Sequence, residues 1–465
     1  MIKNKFFLGS AFTVVILCCN VFVYSQPEKA VIDERNVRAQ LSFLASDAMQ
    51  GRGSGTVFER IAAEYIGSQF MQLGLEAAGE NGSDGKPTYV QTVTNTRYSF
   101  AEAPTLRFGD LNLEHGKEML VLRATANSVE GNLQKLSSSD KPISGAAVLM
   151  KLPEGFTGNP GQIMQGMISA GASLVLIEET PQLRAGWANT AARRLSYMVG
   201  TAPAKPSALV VVSKDAAGKL LALPDGTKIQ LSGNVAAPET RQTWNAMGKI
   251  TGTEPSSGVV VLSSHLDHLG VRDTEAGTDK IFNGADDDAS GSVAVMELAR
   301  SLAGGKRPKR TVYFVCFGSE ESGGVGSNYF ASNMPFPKES LVANLQFEMI
   351  GRPDSSVKPE ELWLTGYERS NLGPELAKRG AKLVKDPHPT QNFFQRSDNY
   401  TLARQGIIAH TVSSFGLHTD YHRPSDETRT IDFTHMARAI QSIKKPIEWL
   451  INSEFRPAWN EGMKP

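Results

Sequence analysis

Four short apolar runs in the second half of the chain are each followed by side chains able to hold a metal ion. Residues 259–262 lead into Ser263-Ser264-His265-Leu266-Asp267, residues 312–317 into Gly318-Ser319-Glu320-Glu321, and residues 342–347 into Glu348. Residues 407–412 lead through a loop to His418 and His422. If these runs are buried strands of an open α/β sheet, all of these groups leave carboxyl ends, where such sheets place their sites. A fifth group, Asp286-Asp287-Asp288 followed by Ser290-Gly291, opens a helical stretch, where carboxylates suit the helix dipole and cap free N–H groups. Two imidazoles with several carboxylates suit zinc or a similar divalent ion better than calcium or a thiolate centre. With one aspartate bridging two ions, each ion takes one histidine, one further carboxylate and a share of water, which loses its proton near neutral pH. An adjacent free carboxylate can then accept a proton during attack on a carbonyl and return it to the leaving amine.

Each group has a plainer reading when taken alone. A histidine after a strand is by default a satisfied polar residue at a sheet edge, and the Asp triplet alone is an N-cap. Glu320-Glu321 alone is a solvated turn, yet adjacent like charges cost energy unless something positive compensates. Their coincidence at the ends of successive apolar runs favours the metal. Cys316, inside an apolar run, reads as a small core residue.

The elements that must position these groups form an α/β pattern from Trp244 onward, with amphipathic helical stretches at residues 292–303 and 435–451. The expected architecture is a mostly parallel mixed sheet flanked by helices. Upstream, residues 31–74 carry Leu41, Leu44, Ala62, Ala63, Ile66, Phe70 and Leu73 at helical steps, interrupted by Gly51-Arg52-Gly53-Ser54-Gly55. Between them, residues 101–241 hold short β-like runs at 146–150, 173–177 and 208–212, with a helical stretch at 162–172 that completes a small βαβ unit. That stretch has no catalytic cluster and reads as a separate module.

Composition sets the frame. The 465 residues contain 48 basic and 48 acidic side chains, so nothing in the balance asks for a nucleic acid or other polyanion. Hydrophobic residues at 40% and charged residues at 21% are ordinary globular usage, and the length favours two or three domains. The N-terminus places Lys3 and Lys5 before an uncharged stretch, with Val23-Tyr24-Ser25 ahead of Gln26 as a cleavage site. It reads as an export signal; an uncleaved anchor or a lipid on Cys18 or Cys19 are the alternatives. Removing residues 1–25 leaves 46 basic against 48 acidic residues and Cys316 as the sole thiol, which excludes an intrachain disulfide. Asn81-Gly82-Ser83 is a glycosylation-type tripeptide.

His265-Leu266-Asp267, Gly284-Ala285-Asp286-Asp287-Asp288-Ala289-Ser290-Gly291, Glu320-Glu321-Ser322-Gly323-Gly324-Val325-Gly326-Ser327, Glu348-Met349-Ile350-Gly351-Arg352 and Asp420-Tyr421-His422 occur in that order. The set resembles family twenty-eight of the co-catalytic zinc exopeptidases, related to bacterial leucyl aminopeptidase and glutamate carboxypeptidase. Leu44-Ala45-Ser46-Asp47 with Gly51-Arg52 resembles that family's N-terminal helices. The resemblance implies a two-zinc exopeptidase acting on peptides, an aminopeptidase in the first instance, and the N-terminal stretch adds that it is exported. It implies that His265, Asp287 as the bridge, Glu321, Glu348 and His422 hold the metals. Glu320 would be the general base, Asp267 the acid orienting His265, and Tyr421 a phenol stabilising the oxyanion. Glu348 stands where many relatives have aspartate and must reach back by a methylene. With that ligand set full, His268, His410 and His418 are expected to be ordinary polar residues. Arg396-Ser397-Asp398-Asn399 resembles a Ser-Asp-His stretch with asparagine in the last place, and is expected to be site wall.

The insert resembles a protease-associated domain. The expected divisions are a signal at 1–25, the N-terminal part of the peptidase unit at 26–100, the protease-associated-like insert at 101–240 and the main peptidase part at 241–465. Rival activities on the same scaffold are a carboxypeptidase or dipeptidase, with Arg352, Arg396 or Arg423 clamping a substrate carboxylate, a one-zinc glutaminyl-cyclising enzyme, and a non-catalytic peptide-binding protein. No membrane span is expected in the chain after the N-terminal stretch.

Overall fold

The computed structural model describes residues 31–152, 160–192, 195–199, 205–273 and 277–465. The signal expected at residues 1–25, with Cys18 and Cys19, lies outside them. The central strands follow from apolar runs with no polar alternation. Val259–His265, Thr311–Phe317 and Leu341–Phe347 bury every residue, as strands covered on both faces must. Even-numbered Val260, Leu262 and Phe314 pack with Val293, Leu298, Ile440 and Leu41. Their neighbours Val261, Val315 and Phe317 pack on the other face with Phe330 and Leu402. The helices on the first face are Glu34–Leu44, Gly291–Ala303 and Phe433–Asn452; on the second lie Val325–Ser332 and Asp398–Ala403.

Among the described residues this sheet has ten strands, in the order Leu383–Lys385, Leu362–Leu364, Ala409–Ser413, Leu341–Phe347, Val259–His265, Thr311–Phe317, Glu239–Ile250, Val90–Ser99 and Ser196–Val199, with Glu76–Ala77 pairing off this path. It is a mixed sheet. The four strands from Ala409–Ser413 to Thr311–Phe317 run parallel, and antiparallel pairs flank them on both sides. Every run singled out in the sequence lies in a strand, and the expected helices at 292–303 and 435–451 are Gly291–Ala303 and Phe433–Asn452. The expected helical stretch at 31–74 is two α-helices, Glu34–Leu44 and Val57–Gln72, with a 3₁₀ turn Asp47–Arg52 between them.

A second sheet of eight strands lies wholly within residues 105–232 and has its own apolar clusters. Its parallel strands Ala147–Lys151, Leu174–Glu178 and Ala208–Val212 include the βαβ unit, whose helix is Pro160–Ser169. One strand from the same stretch of chain, Ser196–Val199, instead pairs antiparallel with Val90–Ser99 at the edge of the larger sheet. Among the described residues no helix is long and apolar enough to cross a membrane.

Candidate metal centre

The carboxyl ends of the parallel strands carry the cluster. His265 ends its strand and Glu348 follows Leu341–Phe347 directly, while Glu320 and Glu321 lie in the turn after Thr311–Phe317. Asp287 sits in the irregular turn before helix Gly291–Ala303, next to a cis peptide bond to Asp288. That turn needs two glycines. Gly284 has φ +58°, and a Cβ on Gly291 would lie 2.1 Å from the Phe347 carbonyl oxygen. Ser319, Met349 and His422 also have left-handed φ values of 54°, 50° and 56°, a conformation that non-glycine residues hold only when the surroundings enforce it.

Asp287 lies at the centre. Its Oδ1 is 3.1 Å from Nε2 of His265, and its Oδ2 is 3.1 Å from Nε2 of His422. Glu321 Oε1 is 3.1 Å from the same nitrogen of His422. His265, Asp287 and Glu348 form one triad of converging ligand atoms, and His268, Asp287 and Glu321 form another. His268 corrects the sequence reading, which set it aside. Its ring is 1% exposed, its Nδ1 is 3.0 Å from Glu321 Oε1, and its edge faces the His422 ring at 5.6 Å. The signal was present as the final residue of His265-Leu266-Asp267-His268. His418 and His410 stay outside the cluster. His418 pairs with Asp286 Oδ2 at 2.9 Å, and His410 bonds Ser370 Oγ and the Thr365 carbonyl, both at 2.7 Å.

The surrounding hydrogen bonds hold the carboxylates in place. Asp267 accepts from the backbone N–H of Glu320 at 2.9 Å, of Glu321 at 3.3 Å, and from Ser54 Oγ at 2.5 Å. Its carboxylate lies 3.7 Å from His265 Nδ1, while the nearer partner of that nitrogen is the Asp267 carbonyl at 3.2 Å. Asp267 therefore orients His265 through its backbone and fixes the Glu320-Glu321 turn through its side chain. Asp288 accepts from the N–H groups of Gly291, Met349 and His265, so the third acid of the triplet ties two strand ends to the start of helix Gly291–Ala303. Three supports lie far away in sequence and were not foreseen. Asp426 accepts from the N–H groups of Asp286 and Asp287. Glu59 accepts from Ser319 Oγ, Thr243 Oγ1 and Gly55 N. Buried Arg52 donates to the carbonyls of Leu44, Leu266, Asn283 and Gly284.

Such crowding moves proton affinities. Burial, with Asp398, Glu348 and Glu321 nearby, pushes the Glu320 carboxyl well above the usual carboxylate range. Burial pushes Glu321 the same way, but His268 and His422 overcome it and hold it at about 2. Burial lowers the basicity of His265, and Asp267 and Asp287 outweigh that and raise it well above the usual histidine value. Burial lifts Asp398 to about 7, and neither of its oxygens has a hydrogen-bond partner.

Whether these residues fit a metal is testable on their hydrogen bonds. With Nδ1 of His265 donating to a carbonyl, its Nε2 presents a lone pair to a carboxylate oxygen. Two acceptors at 3.1 Å need a proton or a cation between them. His265 Nε2, both ring nitrogens of His268 and Glu321 Oε1 are buried without hydrogen-bond partners, an arrangement a protein tolerates only for a reason. Nitrogen and oxygen donors facing inward at this spacing fit divalent ions of the zinc type.

Beside Glu348 a cavity of about 30 Å³ is walled by Met349, Trp363, Phe393, Phe415 and Tyr421. The Tyr421 ring stacks on His422 at 3.9 Å between centroids, and its hydroxyl accepts from Arg396 at 3.2 Å. Burial pushes the phenol's pKa above its ordinary value. Arg352 is paired with Asp420 at 2.7 Å.

Residues 245–445 match the model of peptidase family M28. The chain is 25% identical over 317 residues to a protein of Aspergillus oryzae named probable leucine aminopeptidase 2, covering 64% of this chain and 60% of that one. It is 32% identical over 225 residues to leupeptin-inactivating enzyme 1 of Streptomyces exfoliatus, covering 45% and 49%. The chain thus spans about half to three-fifths of the length of these two relatives. The solved aminopeptidase from Aneurinibacillus sp. strain AM-1 superposes with a TM-score of 0.53 over 95% of this chain and 98% of that one, at 18% identity, so the fold is shared. The strand-end cluster lies inside the residues that match peptidase family M28, so it is residues 245–445 that are similar to that family.

Proposed function

We propose that the protein is an exported two-zinc exopeptidase, an aminopeptidase that releases the N-terminal residue of peptides. His265, Asp287, Glu321, Glu348 and His422 hold the ions, Glu320 acts as general base, and His268 adds a nitrogen on the Glu321 side. The observation that carries this reading is Asp287, whose two oxygens face two different imidazoles at 3.1 Å. Zinc bound there would supply a water of lowered pKa and polarise the scissile carbonyl. Glu320 is held by its N–H to Asp267 beside the ligands, and its raised proton affinity suits a group that takes a proton and passes it to the leaving amine. Tyr421 stands next to His422, and because its oxygen accepts from Arg396 its O–H proton is left to donate to a developing oxyanion.

The name of the Aspergillus oryzae relative supports release of an N-terminal leucine, and the aromatic cavity beside Glu348, with room for about one water, supplies an apolar wall. Arg396 at that cavity is the observation that favours the carboxypeptidase reading, and N-blocked against C-blocked peptides separate the two. Two zinc ions per chain separate both from a one-zinc cyclising enzyme, and turnover separates them from a non-catalytic binder. The charge pattern of residues 1–25 supports export to the periplasm or beyond, and the separate eight-stranded sheet supports a protease-associated-like insert at 101–240. The decisive test is Glu320→Gln assayed on leucyl anilide. The rate is expected to fall at least about 100-fold with both zinc ions retained, and an unchanged rate would sink the mechanism.

A further inference from the structure

A second and larger cavity, of about 600 Å³, borders the same Glu320-Glu321 turn. Ser319 and Ser322, on either side of the acid pair, form one wall together with Ser54, whose hydroxyl bonds Asp267. Arg97, Arg123 and Arg241 also line it, and among the described residues no carboxylate does. The three arginines come from strands Val90–Ser99, Met119–Ala124 and Glu239–Ile250, so the cavity lies between the two sheets. Arg123 donates to Gln165 at 2.9 Å and Arg241 to Glu239 at 3.2 Å. Both arginines are exposed, and exposed pairs of this kind contribute little, so a ligand carboxylate competes with them readily.

Strand order gives this cleft its place relative to the metal ligands. The aromatic cavity draws on the ends of Leu341–Phe347, Leu362–Leu364 and Ala409–Ser413, on one side of the His265 strand. The arginine cleft draws on the end of Thr311–Phe317 and on Glu239–Ile250 and Val90–Ser99, on the other side. Neighbouring strands are about 4.8 Å apart and an extended chain advances about 3.3 Å per residue. Arg241 is two strands beyond His265 and, by the register, four residues past its level, so its backbone lies roughly 16 Å away, about five residues along a bound peptide.

We infer that this cleft binds a carboxylate on the leaving side of the substrate, and that the enzyme selects short peptides of about five residues by their C-terminal carboxylate. The inference rests on the aminopeptidase reading and adds its substrate class. Guanidinium groups recognise carboxylates through paired charged hydrogen bonds, and the aromatic wall on the far side of the metal ligands leaves that side for the N-terminal residue.

The test uses the full zinc-loaded protein with Leu-Gly-Gly-Gly-Gly, its C-terminal amide, the amide of Leu-Gly-Gly-Glu-Gly, and leucyl anilide. The native protein is expected to favour the free acid over the amide by about tenfold or more, chiefly through KM. In Arg123→Gln/Arg241→Gln that ratio is expected to fall to within about twofold. The ratio is read within each protein, so a general loss of activity cancels. Arg123→Gln alone, expected to fall between, serves if the double variant folds poorly. Recovery of the rate by the glutamyl amide would trace the carboxylate to a side chain and overturn selection by the C-terminus. Cleavage of the anilide with equal rates on acid and amide, or a ratio kept in the double variant, would overturn the inference while leaving the aminopeptidase standing. Failure to cleave the anilide would overturn the aminopeptidase reading itself.

Discussion

Two buried histidines of this molecule, His410 within the sheet and His268 at the strand ends, have surroundings that differ in kind. Within the sheet, His410 has a partner on each ring nitrogen, Ser370 Oγ and the Thr365 carbonyl. At the strand ends, His268 is equally buried and has a hydrogen-bond partner on neither, although Glu321 Oε1 is 3.0 Å away. The first is a polar group whose desolvation has been offset by hydrogen bonds. The second is part of a group of donors facing one another, stable only when something positive stands among them. These two histidines are equally buried, and what differs between them is hydrogen-bond satisfaction.

Substitutions can break that contrast, and the largest effect belongs to Asp287. Asp287→Asn is expected to reduce bound zinc to at most one ion per chain by elemental analysis and to abolish anilide hydrolysis, since both imidazoles lose their common partner. Retention of two ions would mean that Asp287 is not the bridge. His268→Gln comes next. It is expected to weaken zinc affinity by about 10- to 100-fold in a chelator competition, with little change in the melting temperature of the metal-free protein. An unaltered affinity would return His268 to the ordinary polar residues.

His410→Gln is expected to do the reverse, leaving zinc affinity alone and costing about 1–3 kcal/mol in denaturant unfolding through its unpaired neighbours. The smallest effect is a pH dependence. Burial lowers His410 to about 4, below the unfolded value near 6.5. Between those values the unfolded chain binds the extra proton, so stability is lost as pH falls from about 6.5 to 4. The slope of melting temperature against pH in that window is expected to be shallower in His410→Gln, and identical slopes would show that His410 does not titrate there.

How much of this was legible in the sequence follows from the kind of signal each part leaves. Continuous apolar runs identify the central strands because both faces are covered. The residues that follow them, His265, Glu320, Glu321 and Glu348, meet because parallel strands end at one edge. The flanking strands Val90–Ser99 and Glu239–Ile250 were not foreseen, since Gln91, Thr92, Arg241 and Gln242 interrupt any apolar pattern. His268 was hidden by completeness, since five ligands already satisfied the expected scheme. Arg52, Glu59 and Asp426 act through partners 140 or more residues away for several of their bonds, and no local spacing encodes such pairs. The arginine cleft was invisible for the same reason, being assembled from three distant segments.

Arg52 carries one last consequence. Its guanidinium joins the carbonyl of Leu44 to those of Leu266, Asn283 and Gly284, while Asp426 grips the turn that Gly284 begins. During synthesis, the early helices must wait for most of the polypeptide before this knot can be tied. A fragment ending before residue 422 lacks one imidazole of the cluster, and one ending before 426 lacks the carboxylate that grips the Asp286-Asp287 turn, so the arrangement as a whole belongs to the longer chain.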